Sequence, residues 1–112
     1  MKPDESIFLL HIRDAFNKIE SYLEGVDEAI FKSDTLIQDG VIRQLEIVGE
    51  AAKHVSSDTR DRYPNIPWQR MAGMRDKLIH GYFGVDIEKV WLTARDDLPE
   101  LQIEIQKILV TL

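Results

Sequence analysis

The chain has 112 residues, enough for one domain spanning 1–112 but not for two separate hydrophobic cores. It contains no cysteine, which excludes disulfides and thiolate chemistry and suits a reducing cytoplasm. No apolar run approaches the roughly 18 residues of a membrane span, and the stretch Ile7–Leu10 is too short for a signal peptide. The net charge of −6 argues against a general nucleic-acid binder, although it allows a local basic patch.

Two long amphipathic helices are predicted in the first half of the chain. In the first, apolar residues recur every three or four positions from Phe8 to Leu23, with Asp4 as the expected N-cap and Gly25 as the stop. A short connector follows at 27–34, and the second helix is expected over 35–55. Its apolar stripe consists of Ile37, Val41, Leu45, Val48, Ala52 and Val55.

The apolar surface of this second helix is broader than one face, because Ile42 and Ile47 lie beside the stripe. One interpretation is a central helix that is surrounded by its own core. The other is a helix that packs both on its own core and on a second subunit.

The second half predicts shorter helices. Residues 56–64 are polar and are expected to be a loop, and Pro67 suits the first turn of a helix that ends near Gly81 or Gly84. Asp86 is expected to cap another helix, and Asp97 to begin the last one through a capping box with Glu100. The fold class is therefore all-α, a four- to five-helix up-and-down bundle.

Three groups of side chains have ordinary structural explanations. Glu46, Glu50 and His54 follow one helix stripe with Arg43 nearby; such a ladder can hold a metal ion but is more often a salt-bridged face. Trp68, Met71 and Met74 are at helical spacing and are interpreted as core residues. The charged residues 60–62, together with Arg70, could contact phosphate but are more often simply solvated.

The segment 75–82 combines four kinds of reactive or charged side chain. Arg75 is a permanent cation, Asp76 a carboxylate, His80 an imidazole that titrates near neutrality, and Tyr82 a phenol. A histidine near a helix C-terminus is also favoured by the helix dipole alone, so this composition does not by itself define a site.

At these residues the chain resembles HEPN domains, in the tyrosine-bearing form of HepT-like toxins. The pattern Arg75-x4-His80-x-Tyr82 matches the motif of that family, which commonly has Asn where this chain has Asp76. Further segments match in the family's order: 45–52, 63–68, 73–75, 80–86 and 97–99.

The resemblance implies a HEPN-like homodimer that cleaves RNA without a metal ion or other cofactor. Arg75, Asp76 and His80 would then be the catalytic residues. It also implies a partner, a minimal nucleotidyltransferase antitoxin, that transfers AMP to Tyr82. The alternative is a helical dimer without catalysis of its own that binds this nucleotidyltransferase and is modified by it; the acidic charge and Asp76 favour this reading.

Helix geometry adds a constraint on how these residues can cooperate. At about 100° per residue, Arg75 and His80 are about 140° apart around the helix, whereas Arg75 and Tyr82 differ by only about 20°. Asp76 and His80 are four residues apart and share a face, so Asp76 can orient the imidazole. Arg75 and His80 of one chain therefore meet only if the helix loosens near Gly81 or Arg75 reaches across, unless a second chain supplies the complementary residue.

Overall fold

The computed structural model of the chain describes residues 5–74, 76 and 84–111, and most of these residues are helical. The helices are α1 (Ser6–Tyr22), α2 (Glu28–Ser33), α3 (Thr35–Lys53), α4 (Ser57–Arg62), α5 (Trp68–Ala72), α6 (Ile87–Leu92) and α7 (Leu98–Leu109), with a π-helical turn (Thr93–Asp97) between α6 and α7. The predicted all-α bundle is confirmed. Over the described ranges, no helix is both long enough and apolar enough to cross a membrane.

Helix α3 lies at the centre of the bundle. It packs along α1 and also contacts α2, α5 and α6. Its stripe residues Val41, Leu45, Val48 and Ala52 are buried, as are Leu9, Ile12, Phe16 and Ile19 of α1. Each such large side chain contributes about 1.5–3 kcal/mol through removal from water, so this contact dominates the core. Helix α3 is thus central to the bundle, and its packing on a second subunit stays a prediction.

Polar side chains fix the entry into α3. Asp34 is its N-cap, and its carboxylate accepts a hydrogen bond from the backbone N–H of Ile37. Gln38 is buried and its amide donates to the carbonyls of Phe31 and Lys32, at the end of α2. The predicted connector 27–34 therefore contains a short helix that is held against the start of α3. Before it, α1 ends at Tyr22 and Gly25 has a φ of 71°, so the chain turns where the glycine predicted; Asp4 lies outside the described residues.

The predicted loop 56–64 was wrong for most of its length, because α4 forms there. Ser56 caps α4 by accepting from the backbone N–H of Thr59. The buried carboxylate of Glu5 accepts from the backbone N–H of Ser56 and from the hydroxyl of Thr59. Arg60 donates to the carbonyls of Ala52 and Val55, at the C-terminal end of α3. The Glu5 contacts join parts of the chain that are distant in sequence, and the cap and the Arg60 contacts are polar, so a periodicity of apolar residues could not reveal them.

The predicted capping box at Asp97 was also wrong. Asp97 has helical backbone angles and makes no side-chain cap hydrogen bond, because α6, the π-helical turn and α7 form one continuous helical run. Pro99 has no N–H to donate to the carbonyl four residues earlier, and its ring crowds that carbonyl. The wider π-helical turn before it relieves this conflict within a continuous helix.

The helix predicted after Pro67 begins there but is interrupted at Gly73, and its predicted end near Gly81 lies outside the described residues. α5 ends at Ala72, Gly73 forms a turn, and Met74 and Asp76 are helical again. Trp68, Met71 and Met74 are buried, and the indole N–H of Trp68 donates to the carbonyl of Tyr63. Their interpretation as core residues is confirmed.

Arg60 gives a test of the contact between α3 and α4. We expect Arg60→Ala to lower the free energy of unfolding by about 1–3 kcal/mol, because the variant loses charge-assisted hydrogen bonds to terminal carbonyls. Arg62→Ala is the matched control, since Arg62 is exposed on the same short helix, and it should change stability by less than about 0.5 kcal/mol. Urea denaturation measures both; equal effects would contradict the role assigned to Arg60.

Candidate active site

Of the four predicted site residues, the structure describes Asp76. Arg75, His80 and Tyr82 lie outside the described residues, so their roles and the pairing of Asp76 with His80 stay predictions. Asp76 is exposed, two residues after the buried Met74. The surroundings of Asp76 therefore show what surface adjoins the motif.

Asp76 lines an open groove of about 940 Å³. One part of its wall comes from α5 and the turn that follows, and the other from α4 and the loop after it. The lining residues are Arg60, Pro64, Pro67, Trp68, Gln69, Arg70, Gly73 and Asp76. Because Trp68 is anchored to Tyr63 and Arg60 to the end of α3, both sides of the groove are attached to the core.

The groove lies in the basic part of an acidic chain. Residues 53–77 contain six Lys and Arg and three Asp, whereas the whole chain has a net charge of −6. This segment therefore carries a net positive charge within a chain that is acidic overall. The residues that could contact phosphate, 60–62 and Arg70, form only part of this segment; a count of charges along the chain reveals the rest.

The two arginines of the groove are held differently. The guanidinium of Arg60 donates to two backbone carbonyls, so it is engaged in structure. Arg70 forms an ion pair with Asp97, with 2.9 Å between a terminal nitrogen and a carboxylate oxygen, and nearly half of each side chain is exposed. A neighbouring groove on the other side of Arg70 is lined by Asp97, Glu100 and Glu104, so Arg70 stands between a basic and an acidic surface.

The ladder on α3 forms local ion pairs. His54 is 3.4 Å from Glu50, Arg43 is 3.9 Å from Glu46, and the imidazole of His54 stacks on the ring of Phe8 at 4.8 Å. Within the described part of the chain, no group of three or more acidic or histidine side chains is arranged to hold a metal ion. The ladder is accounted for as a salt-bridged face.

Comparison with known proteins places these features in a family. The family model described as "Ribonuclease HepT-like" matches residues 12–108, which include the whole motif. No solved structure matches the chain.

Two relatives match over nearly their full length. The protein named "Putative RNase MJ0125" of Methanocaldococcus jannaschii is 44% identical over 108 residues, covering 96% of this chain and 93% of its own. The "Probable ribonuclease HepT" of Thermococcus cleftensis is 42% identical over 108 residues, covering 96% of this chain and 98% of its own. The chain belongs to the HepT-like ribonuclease family of HEPN proteins.

Proposed function

We propose that the protein is a metal-independent endoribonuclease that acts as the toxin of a toxin–antitoxin pair. The observation that carries the proposal is the pattern Arg75-x4-His80-x-Tyr82 inside a match to the ribonuclease family over residues 12–108. The basic segment and the groove beside Asp76 support it, since an RNA strand needs cationic surface next to the reacting groups.

The residues suit cleavage by the neighbouring 2′-hydroxyl of RNA. A base removes the 2′-OH proton, the 2′ oxygen attacks phosphorus, and the 5′ oxygen leaves with a proton from an acid. The products are a 2′,3′-cyclic phosphate and a 5′-hydroxyl. His80 supplies proton transfer because imidazole titrates near neutrality, and Arg75 binds the phosphate oxygens as their charge grows. Asp76 orients the imidazole from the same helix face.

The site is proposed to be shared by two chains. One imidazole cannot easily act as base on one side of a phosphate and as acid on the other, whereas two imidazoles in a common cleft can. The expected angle of about 140° around the helix between Arg75 and His80 also favours a site shared by two chains. A homodimer of this small domain therefore completes the catalytic set.

Tyr82 is the proposed regulatory site. A minimal nucleotidyltransferase antitoxin transfers AMP from ATP to the phenol oxygen, and pyrophosphate leaves. On the helix expected from the sequence, Tyr82 and Arg75 are only about 20° apart, so the attached phosphate would take the position of a substrate phosphate beside the guanidinium. Adenylylation then blocks RNA binding at the motif.

The alternative function is a helical dimer that binds the nucleotidyltransferase and accepts AMP without cleaving RNA. The carboxylate of Asp76, next to Arg75, favours this alternative because it opposes phosphate binding. The two functions differ in one measurable property, which is cleavage by the unmodified protein.

Purified protein should cleave single-stranded RNA in the presence of EDTA and leave 2′,3′-cyclic phosphate ends. We expect His80→Ala to reduce the rate about 10²–10⁴-fold, as is typical of a lost acid–base catalyst. His11→Ala is the control, because His11 is an exposed imidazole on α1. Mass spectrometry of the fragments identifies the ends; equal cleavage by wild type and His80→Ala would refute the nuclease proposal.

A heterodimer of one wild-type and one His80→Ala subunit, isolated with two different affinity tags, tests the shared site. If both imidazoles act on one phosphate, its activity per dimer falls below about a tenth of the wild-type value. If each subunit works alone, the heterodimer keeps about half of that activity, and the shared cleft is rejected.

Co-expression with a nucleotidyltransferase encoded beside this protein should add AMP to Tyr82 and abolish cleavage. Intact-mass measurement detects the addition, and Tyr82→Phe should remain unmodified while Tyr22→Phe, a change at an exposed tyrosine of α1, is modified normally. An unmodified wild-type protein would exclude adenylylation by that enzyme.

A further inference from the structure

We infer that Arg70 is a second phosphate-binding residue, and that its ion pair with Asp97 limits how tightly the protein binds RNA. The inference rests on the proposal that RNA is the substrate. In this inference, the groove beside Asp76 binds the segment of RNA backbone next to the cleaved bond.

Position is the first argument. Arg70 and Asp76 line the same groove, and Arg70 lies in the last turn of α5. An RNA strand that reaches the motif at Asp76 and follows this groove therefore passes Arg70. An RNA strand carries one phosphate per nucleotide. A cation in this groove, beside the motif, therefore contacts a phosphate that neighbours the one being cleaved.

The guanidinium of Arg70 is more available to bind a phosphate than that of Arg60. Arg60 also lines the groove, but its guanidinium is committed to the carbonyls of Ala52 and Val55. Arg70 contacts Asp97 through one terminal nitrogen, and a guanidinium has five N–H donors. Because both partners are nearly half exposed, solvent screens their attraction and the ion pair stabilises the fold little. A phosphate can replace or join the carboxylate at low cost.

Charge competition is the third argument. Asp97 lies at the end of the π-helical turn, and its carboxylate neutralises the Arg70 guanidinium. An approaching phosphate is repelled by the same carboxylate. Removal of the Asp97 charge should therefore strengthen RNA binding, whereas removal of the Arg70 charge should weaken it. If the ion pair served only the structure, removal of the Asp97 charge would instead weaken RNA binding, as removal of the Arg70 charge does.

The experiment measures binding of a fluorescein-labelled, fully 2′-O-methylated single-stranded oligonucleotide by fluorescence anisotropy. This probe has no 2′-hydroxyl nucleophile, so wild-type protein binds it without cleaving it. We expect Arg70→Gln to raise Kd roughly three- to tenfold and to reduce the slope of log K against log salt by about 0.7, the value for one phosphate contact on a single strand. Asp97→Asn should lower Kd by a similar factor, and the double variant should behave like Arg70→Gln.

Arg13 and Asp14 provide the matched control. They also form an exposed Arg–Asp ion pair at 2.9 Å, but on α1 and away from this groove. Arg13→Gln and Asp14→Asn change the net charge by the same amounts and should leave Kd within about twofold of wild type, since screening limits the effect of distant charges. Thermal denaturation of all variants shows whether they are folded.

The inference is overturned if Arg70→Gln leaves Kd and the salt slope unchanged, if Asp97→Asn weakens binding, or if the control pair has equal effects. Lack of any binding to the oligonucleotide also overturns it. Binding and cleavage are separate readouts: a protein that binds as expected but does not cleave RNA loses the proposed nuclease function and keeps the Arg70 site.

Discussion

The C-terminal end of α3 is the point on which the arrangement of the proposed site depends. A helix leaves its last carbonyls without internal partners, and here Arg60 of α4 donates to two carbonyls in that region. Glu5 holds the start of the same short helix through Ser56 and Thr59. Since α4 leads directly to α5 and the groove, these few hydrogen bonds set where the basic surface lies relative to the core.

Local signals predicted the long helices well, and tertiary contacts decided the rest. The start of α3 after Asp34 follows from its cap and apolar period, and both are properties of the local sequence. Helix α4 has six residues and only Thr59 buried, so its existence depends on partners distant in sequence. Asp97 and Glu100 have the letters of a capping box, yet the continuous packing of α6 and α7 keeps Asp97 inside a helix.

The candidate site shows the same difference between features that local sequence predicts and features that depend on tertiary contacts. The sequence pattern predicts Arg75, Asp76, His80 and Tyr82 as site residues, because a motif of reactive side chains at fixed spacing is a local property. It could not assign different tasks to Arg60 and Arg70, which are both basic residues near the motif. That difference arises from their partners: two backbone carbonyls for Arg60, and an exposed carboxylate for Arg70.

The π-helical turn changes the direction in which the side chains of α7 face relative to those of α6. An α-helix rotates by about 100° per residue. The extra residue in the wider turn shifts the side-chain positions of α7 around the helix axis by about one residue relative to those of α6. Each half can therefore direct its own apolar face: α6 towards α2 and α3, and α7 towards α1. Deletion of one residue in Thr93–Asp97 would rotate Leu101 and Ile105 away from the core, so the length of this segment determines which face of α7 is buried.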